Sequence, residues 1–479
     1  LEWSTFLGGT AIDLGFAIDV DAGGNVYVAG RTLPTDFPVT DGSTPIGSND
    51  TFVTKFSPSG ALLYSTLVGG RSIDTGSSLS VDLAGVVHVV GNTLSPDFPV
   101  VNPQDSCPPV VTSRNYDAFA FKLDPAGSTL LYSTCLGGGK VDVPFGGGAL
   151  DAAGNLYVAG GTDSKKFPTK NNAAFGINGK CLAHSGDPDL AEGRDAFVLK
   201  LGPTGKLKYS TCWGGINSDE ARGMAVDAAG NVYVGGWTNS TSFPQKRNAG
   251  VQTGTGGTEE VGWVLKVSTQ PGPKFSTYLG GNDIGDVKNV AIDGGYVYVS
   301  GGTGATDHAT KWPDAAAGGA QASYAGGFDT YVARLRFEAA DPNAPIMDRI
   351  TYLGGSGRDY PRRMVVRDGA VWLTGETASG DFPSVDPLAG TACAPTGQSP
   401  LDPYVARMDT ALTTLSFSSC LGGPTGAEER GLGIAVDAAG TAYVTGYSTS
   451  ADLPTTSGAH DTTYNGGLDA FVAKISPGP

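Results

Sequence analysis

Four arginines follow closely on an acidic residue: Arg222 after Asp219, Arg362 and Arg363 after Asp359, and Arg430 after Glu428. A guanidinium beside a carboxylate can orient an anionic or sugar ligand through its planar fork, or neutralise the acid it sits against. Tyr360, Arg362, Arg363 and His308 suggest a second chemistry. A polysaccharide lyase needs a base such as Tyr or His next to an arginine that neutralises a uronate, and these four are the catalytic candidates for a lyase or hydrolase. A third set lies in "CLAHSGDPDLAEGRD" (181–195), where Asp187, Asp189 and Glu192 offer oxygen ligands for Ca²⁺. Their spacing is not that of an EF-hand loop, and no Gly-x-Ser-x-Gly, His-Glu-x-x-His or phosphate-binding loop occurs in the chain.

Composition narrows the setting. The 479 residues include 73 Gly and 30 Pro, but 40% are hydrophobic and 18 Tyr with 19 Phe supply ample core, so the glycines serve turns and disorder is not expected. A net charge of −16 argues against nucleic acid and anionic membranes, which recruit basic patches. No apolar run is long enough for a transmembrane helix. Without an initiating Met or a signal-peptide pattern, the chain reads as a mature or excised segment.

The elements that position these residues recur. A Gly-Gly pair closes "LGG"-type strings at Gly9, Gly70, Gly138, Gly215, Gly281, Gly355 and Gly423, so units begin near residues 7, 68, 136, 213, 279, 353 and 421. Each is followed by an acidic position (Asp13, Asp74, Asp142, Asp219, Asp286, Asp359, Glu428) and then by a string like "GNVYVAG" (24–30). An aromatic-Pro or Leu-Pro pair and a "DAFVLKL"-type segment (195–201) complete the unit. Period-two alternation, β-branched and aromatic enrichment, and Gly or Pro punctuation make these segments strands, four per unit. In the second unit they are 79–82, 86–91, 118–123 and 130–135. Seven units of four antiparallel strands predict an all-β seven-bladed β-propeller over residues 1–479, which removes exposed sheet edges by closing radially. "LEWSTFLGG" (1–9) is a fourth-type strand with no unit before it, and 469–475 is a third-type strand with none after it. The N-terminal strand is therefore expected to complete the last blade.

"YSTCWGG", "GNVYVGG", "SFP" and "DAFVLKL" strings in this order resemble the bacterial and archaeal seven-bladed β-propeller repeat family (SBBP repeat) along the whole chain. The resemblance implies the fold and a secreted or cell-surface location. It does not imply an activity.

The repeat also organises the cysteines. Cys135, Cys212 and Cys420 occupy one slot at the end of fourth strands, and Cys107, Cys181 and Cys393 lie in the long loops of the same units. Among the fifteen connectivities that six cysteines allow, the repeat selects Cys107–Cys135, Cys181–Cys212 and Cys393–Cys420. Each loop closure stabilises by about 3 kcal/mol and implies an oxidising compartment: the exterior, the periplasm or the cell surface.

Residues required in every unit build the blade, and polar residues that break the pattern are the functional candidates. Phe37, Phe98, Phe167, Phe243, Trp312 and Phe382 are expected in the core, as are Tyr27, Tyr157, Tyr233, Tyr298, Trp372 and Tyr443, with His88 replacing a Tyr of that set. Asp50, Asp117, Asp195, Asp329, Asp402 and Asp469, which open third strands, are expected to accept backbone hydrogen bonds. The leading reading is a binding or interaction scaffold, monomeric or part of a larger surface protein, that recognises a carbohydrate, protein or small ligand through the channel mouth and the loops of its top face, the face that carries the turn after the fourth strand and the long connection between the second and third. Its ligand-binding residues would be Arg222, Arg362, Arg363, Arg430, Asp219, Asp359 and Glu428, with Ca²⁺ as the candidate cofactor. The alternatives are the lyase or hydrolase above and a structural spacer in a larger adhesin.

Overall fold

In the computed structural model, all residues are described except 34–35, 43–45, 104–114, 171–180, 182–192, 245–259, 269–272, 282, 308–317, 339–340, 392, 394–400, 424–426 and 477–479. The described residues form 28 strands in seven four-stranded antiparallel sheets and contain no helix, the architecture of a seven-bladed β-propeller.

The first blade shows how the repeat becomes structure. β2 (Asp13–Val20) is innermost, followed outward by β3 (Val26–Thr32), β4 (Asp50–Phe56) and β5 (Leu62–Val68). Five further blades repeat this order. In the last, β26 (Glu429–Val436), β27 (Ala442–Ser448) and β28 (Asp469–Ile475) receive β1 (Trp3–Leu7) as the outer strand, in the register Trp3↔Lys474 to Leu7↔Ala470. The strand expected to close the ring therefore does so.

Innermost strands begin earlier than alternation suggested. In the second blade, β6 spans Asp74–Val81 rather than 79–82, because its register against β7 (Val87–Thr93) shifts between Gly76 and Ser78 and leaves Ser77 bulged. A bulge interrupts the period of two by which strands are recognised. The same shift recurs in the first, fourth, sixth and seventh blades, and a wider one, between Val143 and Gly147, in the third.

Packing follows the repeated aromatics. Phe98 lies on Phe119 with centroids 4.5 Å apart, and Phe37–Phe52, Phe167–Phe197 and Phe382–Tyr404 make the same contact at 4.7, 4.5 and 4.7 Å. All are buried, as are Phe243, His88 and the Tyr27-type set, whereas Trp312 falls outside the described residues. Cys181–Cys212 and Cys393–Cys420 are disulfides with Cα atoms 5.3 Å apart in each. Cys107 falls outside the described residues. No helix among the described residues is long and apolar enough to cross a membrane.

Candidate functional site

The repeated acids are buried brackets between blades. The backbone N–H of Asp74 donates to the Asn49 carbonyl of the preceding blade (2.9 Å), and its Oδ2 accepts from Gly70 N (2.7 Å) and Ser95 Oγ (2.7 Å). Asp142, Asp219 and Asp359 are held alike by Gly138, Gly215 and Gly355 and by Ser164, Ser240 and Ser379. In the last blade the bracket is Glu429, bound to Gly423 N and Ser448 Oγ, rather than Glu428, because β26 begins at Glu429. Asp219 and Asp359 are thus fully buried at blade junctions.

Each bracket meets the acid that opens a third strand of the preceding blade. A Cβ on Gly354 would stand 2.6 Å from Asp329 Oδ1 and 2.8 Å from Asp359 Oδ2. One on Gly8 would stand 3.0 Å from Asp469 Oδ1 and 2.7 Å from Asp13 Oδ2. The first glycine of "LGG" is therefore the gap that two carboxyl groups share. Asp329 and Asp469 also accept backbone N–H groups at their turns, from Ala325 (2.7 Å) and Asn465 (2.6 Å). Burial, and then the partner carboxylate, raises Asp329, Asp469 and Asp117 to about 7, while burial raises Asp219 and Glu429 to about 7 and Asp13 and Asp142 to about 6.

These raised values give an expected outcome. Ordinary carboxyls titrate near 4 when unfolded, so the folded state binds more protons between about pH 4 and pH 7 and loses stability as pH rises through that window. Each pair that keeps a proton contributes about 1 kcal/mol per pH unit there. Urea midpoints are expected to fall from pH 4.5 to 7.5 and then level. A midpoint that rises across this range would show that the pairs are ionised in the fold.

The bulges make the channel wall. Phe16, Ser77, Arg222, Arg362 and Leu432 are the bulged residues, Phe145 lies in the wider shift of the third blade, and Lys288 holds the equivalent place in the fifth, just before Asn289 pairs with Ser300. All seven are partly buried, between mostly buried neighbours. Read around the ring, blades four to six present Arg222, Lys288 and Arg362. Blades seven, one and three present Leu432, Phe16 and Phe145, and blade two presents Ser77. The mouth is therefore basic on one side and mainly apolar on the other.

Acids support part of the basic arc. Arg222 pairs with Glu220 (2.6 Å) and lies over the Phe145 ring (4.8 Å); Glu220 also accepts from Trp237 Nε1 (3.1 Å) and pairs with Arg194. Arg362 binds Glu376 through Nε (3.1 Å) and Nη2 (2.9 Å), and Arg430 reaches the same fully buried carboxylate at 3.3 Å. Arg430 sits two residues before its bulge and also pairs with Glu428 (2.9 Å), so it belongs to the blade junction and not to the ring of Arg222 and Arg362. Lys288 and Arg363 form no ion pair or side-chain hydrogen bond among the described residues. Burial and then the neighbouring Arg222 and Arg362 push Lys288 down to about 7.

Arg363 stands where other blades carry Ala17, Ser78, Gly147, Gly223, Asn289 and Gly433. Its Nη1 lies 3.9 Å from the Cβ position of Gly147, so it spans from the sixth blade to the third. A cavity of about 230 Å³ lies along its lower side, with Arg367 and Asp19 also in its lining. Lys288 was missed in the sequence because one residue fewer separates it from Asp286 than separates Arg222 from Asp219. Reading the bulge column in register would have found it.

Tyr360 donates its hydroxyl to Asp286 Oδ2, and burial and this carboxylate raise it well above its ordinary value. A tyrosine so held is a poor base, and Arg362 is already taken by Glu376. His308, Asp187, Asp189 and Glu192 fall outside the described residues. No group of three metal-ligating side chains occurs among the described residues.

Residues 209–244 match the beta-propeller repeat SBBP. The regulatory protein FlaEY of Caulobacter vibrioides is 25% identical over 428 residues, which are 85% of this chain, and the chain spans about 40% of that protein's length. Among solved structures, a Dyadobacter fermentans protein of unknown function aligns over 98% of this chain and 97% of its own, at a TM-score of 0.39 and 10% identity. A polysaccharide lyase, an ulvan lyase, aligns over 97% and 96% at 0.43 and 10% identity. The quinohemoprotein alcohol dehydrogenase of Comamonas testosteroni aligns over 98% and 76% at 0.37 and 12% identity.

Proposed function

We propose that this SBBP-repeat propeller is a binding module that takes an anionic ligand at the mouth of its central channel. The carrying observation is the arc of Arg222, Lys288 and Arg362 on three consecutive blades of a chain whose net charge is −16. Cations gathered at a concave site on an acidic protein focus an anion there and reject it elsewhere. The acids beneath the arc hold the arginine planes in place without covering Lys288. Two disulfides, and the loops they tie, fit work in an oxidising compartment, secreted or at the cell surface.

The test is a binding screen of neutral, cationic and anionic glycans and small acids, run on the wild type and on the triple variant Arg222→Gln, Lys288→Gln, Arg362→Gln. Binding of anionic members only, weakened by salt and by the triple variant, is expected. Equal binding by both proteins, or binding confined to neutral or cationic members, would overturn the reading.

A further inference from the structure

We infer that the ligand is a small organic carboxylate, its carboxylate group held by Arg363 and Lys288 and its apolar part laid against Phe16 and Leu432. This inference rests on the anion-binding reading and names the ligand class.

Two cations here have no ion pair among the described residues, and the acid that faces Lys288, Asp286, is already bound by the Tyr360 hydroxyl. Arginine stays protonated in proteins, and a charge withdrawn from water without a partner is costly. Arg363 lies inside the channel, spans to the wall of the third blade, and has no ion pair among the described residues. Lys288 stands one level above it on the neighbouring blade, with Nζ 6.0 Å from the Tyr360 ring centroid and no ion pair among the described residues. The two cations sense each other, since Arg363 is among the groups that depress Lys288. One anionic group between them would satisfy both.

The other walls select what that group is attached to. Arg222 and Arg362 are engaged by Glu220 and Glu376, so the unpaired positive charge is small and suits a single carboxylate better than a multiply charged anion. The planar fork of Arg363 matches a carboxylate with two parallel hydrogen bonds. Across the ring, Phe16 and Leu432 are partly exposed, and their side chains offer no hydrogen bonds. An apolar body gains by covering them, whereas sugar hydroxyls pressed there would lose their water without replacement. Arg363 also crosses the channel, so a ligand entering at the mouth meets it as a floor.

Calorimetric titration of the full chain with benzoate and hexanoate tests this, with acetate, sulfate and glucuronate as comparators. Benzoate or hexanoate is expected to bind at least about tenfold more tightly than acetate, and more tightly than sulfate or glucuronate. Arg363→Gln should lower affinity by about 10- to 100-fold, and Arg363→Lys by less, because it keeps the charge and loses the fork. Affinity should also fall from pH 6 to pH 8 as Lys288 loses its proton, and Lys288→Gln should flatten that dependence. The groups facing Lys288 are Arg222, Asp286, Tyr360, Arg362 and Arg363, and only Asp286 opposes its deprotonation. Sulfate or glucuronate binding as tightly as benzoate, or wild-type affinity in Arg363→Gln, would overturn the inference. If none of the five probes binds while the screen above finds another anion, this inference falls and the broader reading stands. If no anion binds at all, both fall.

Discussion

Deletion of residues 1–8 is expected to unlatch the ring and leave the protein largely unfolded or aggregated at 25 °C. β1 is the outer strand of the last blade, and it is the first part of the chain that closes on the last. It buries Trp3, Phe6 and Leu7, and Trp3 Nε1 donates to the Pro58 carbonyl of the first blade (3.1 Å), so one strand fastens two blades. Burial of three large apolar side chains contributes on the order of 5–8 kcal/mol, comparable to the whole stability of a typical domain. The loss also bares the edge of β28, a template for pairing with other chains. Size-exclusion chromatography and a thermal scan of the truncated protein measure this, and a synthetic 1–9 peptide added in trans should restore part of the folded signal. A monomeric truncated protein with the parental melting temperature would show that the strand is dispensable.

Gly446→Ala is expected to cost about 3 kcal/mol or more, against about 1 kcal/mol for Gly440→Ala six residues away. The seven glycines ending the "YVAG"-type strings each lie against a backbone carbonyl at or just before the start of the innermost strand, which in the last blade is bulged. A Cβ on Gly446 would meet the Arg430 carbonyl oxygen, stand 2.8 Å from the Arg430 carbonyl carbon and 3.0 Å from Phe471 Cε1. Backbone in a bulge and a buried ring cannot move aside as the tip of a flexible side chain can. Gly440 has φ of +80° with nothing within 4 Å of its Cβ position, so alanine there suffers only backbone strain. Urea denaturation of the two variants gives the comparison. Equal losses would mean that the bulge yields and that the glycine serves chain conformation alone.

The candidate site was partly legible. Arg222, Arg362 and Arg363 stand out as pattern-breaking cations because a repeat exposes its exceptions, and the structure places them at or next to the bulges of innermost strands. Arg430 stood out for the same reason but lies at a blade junction. Arg430 follows its bracket Glu429 by one residue, whereas Arg222 and Arg362 follow Asp219 and Asp359 by three and are themselves the bulged residues, a difference that counting from the nearest acid does not show. In the last blade six residues rather than four separate the Gly-Gly pair from the bracket, which is Glu429 instead of Glu428, and in the fifth blade a spacing one residue shorter after Asp286 concealed Lys288.

The sequence by itself determined the seven blades, their strand order, the closing role of residues 3–7 and the pairing of Cys181 with Cys212 and Cys393 with Cys420. All of these follow from local alternation, turn residues and repetition, which each unit carries within its own span. Only the tertiary structure decided that Asp329 meets Asp359 across a glycine, that the bulged residues form one ring, and that Arg363 reaches Gly147 on the far side of the channel. Those contacts join residues on different blades, and their geometry is set by how the sheets close around the axis. No strand's own pattern encodes that closure.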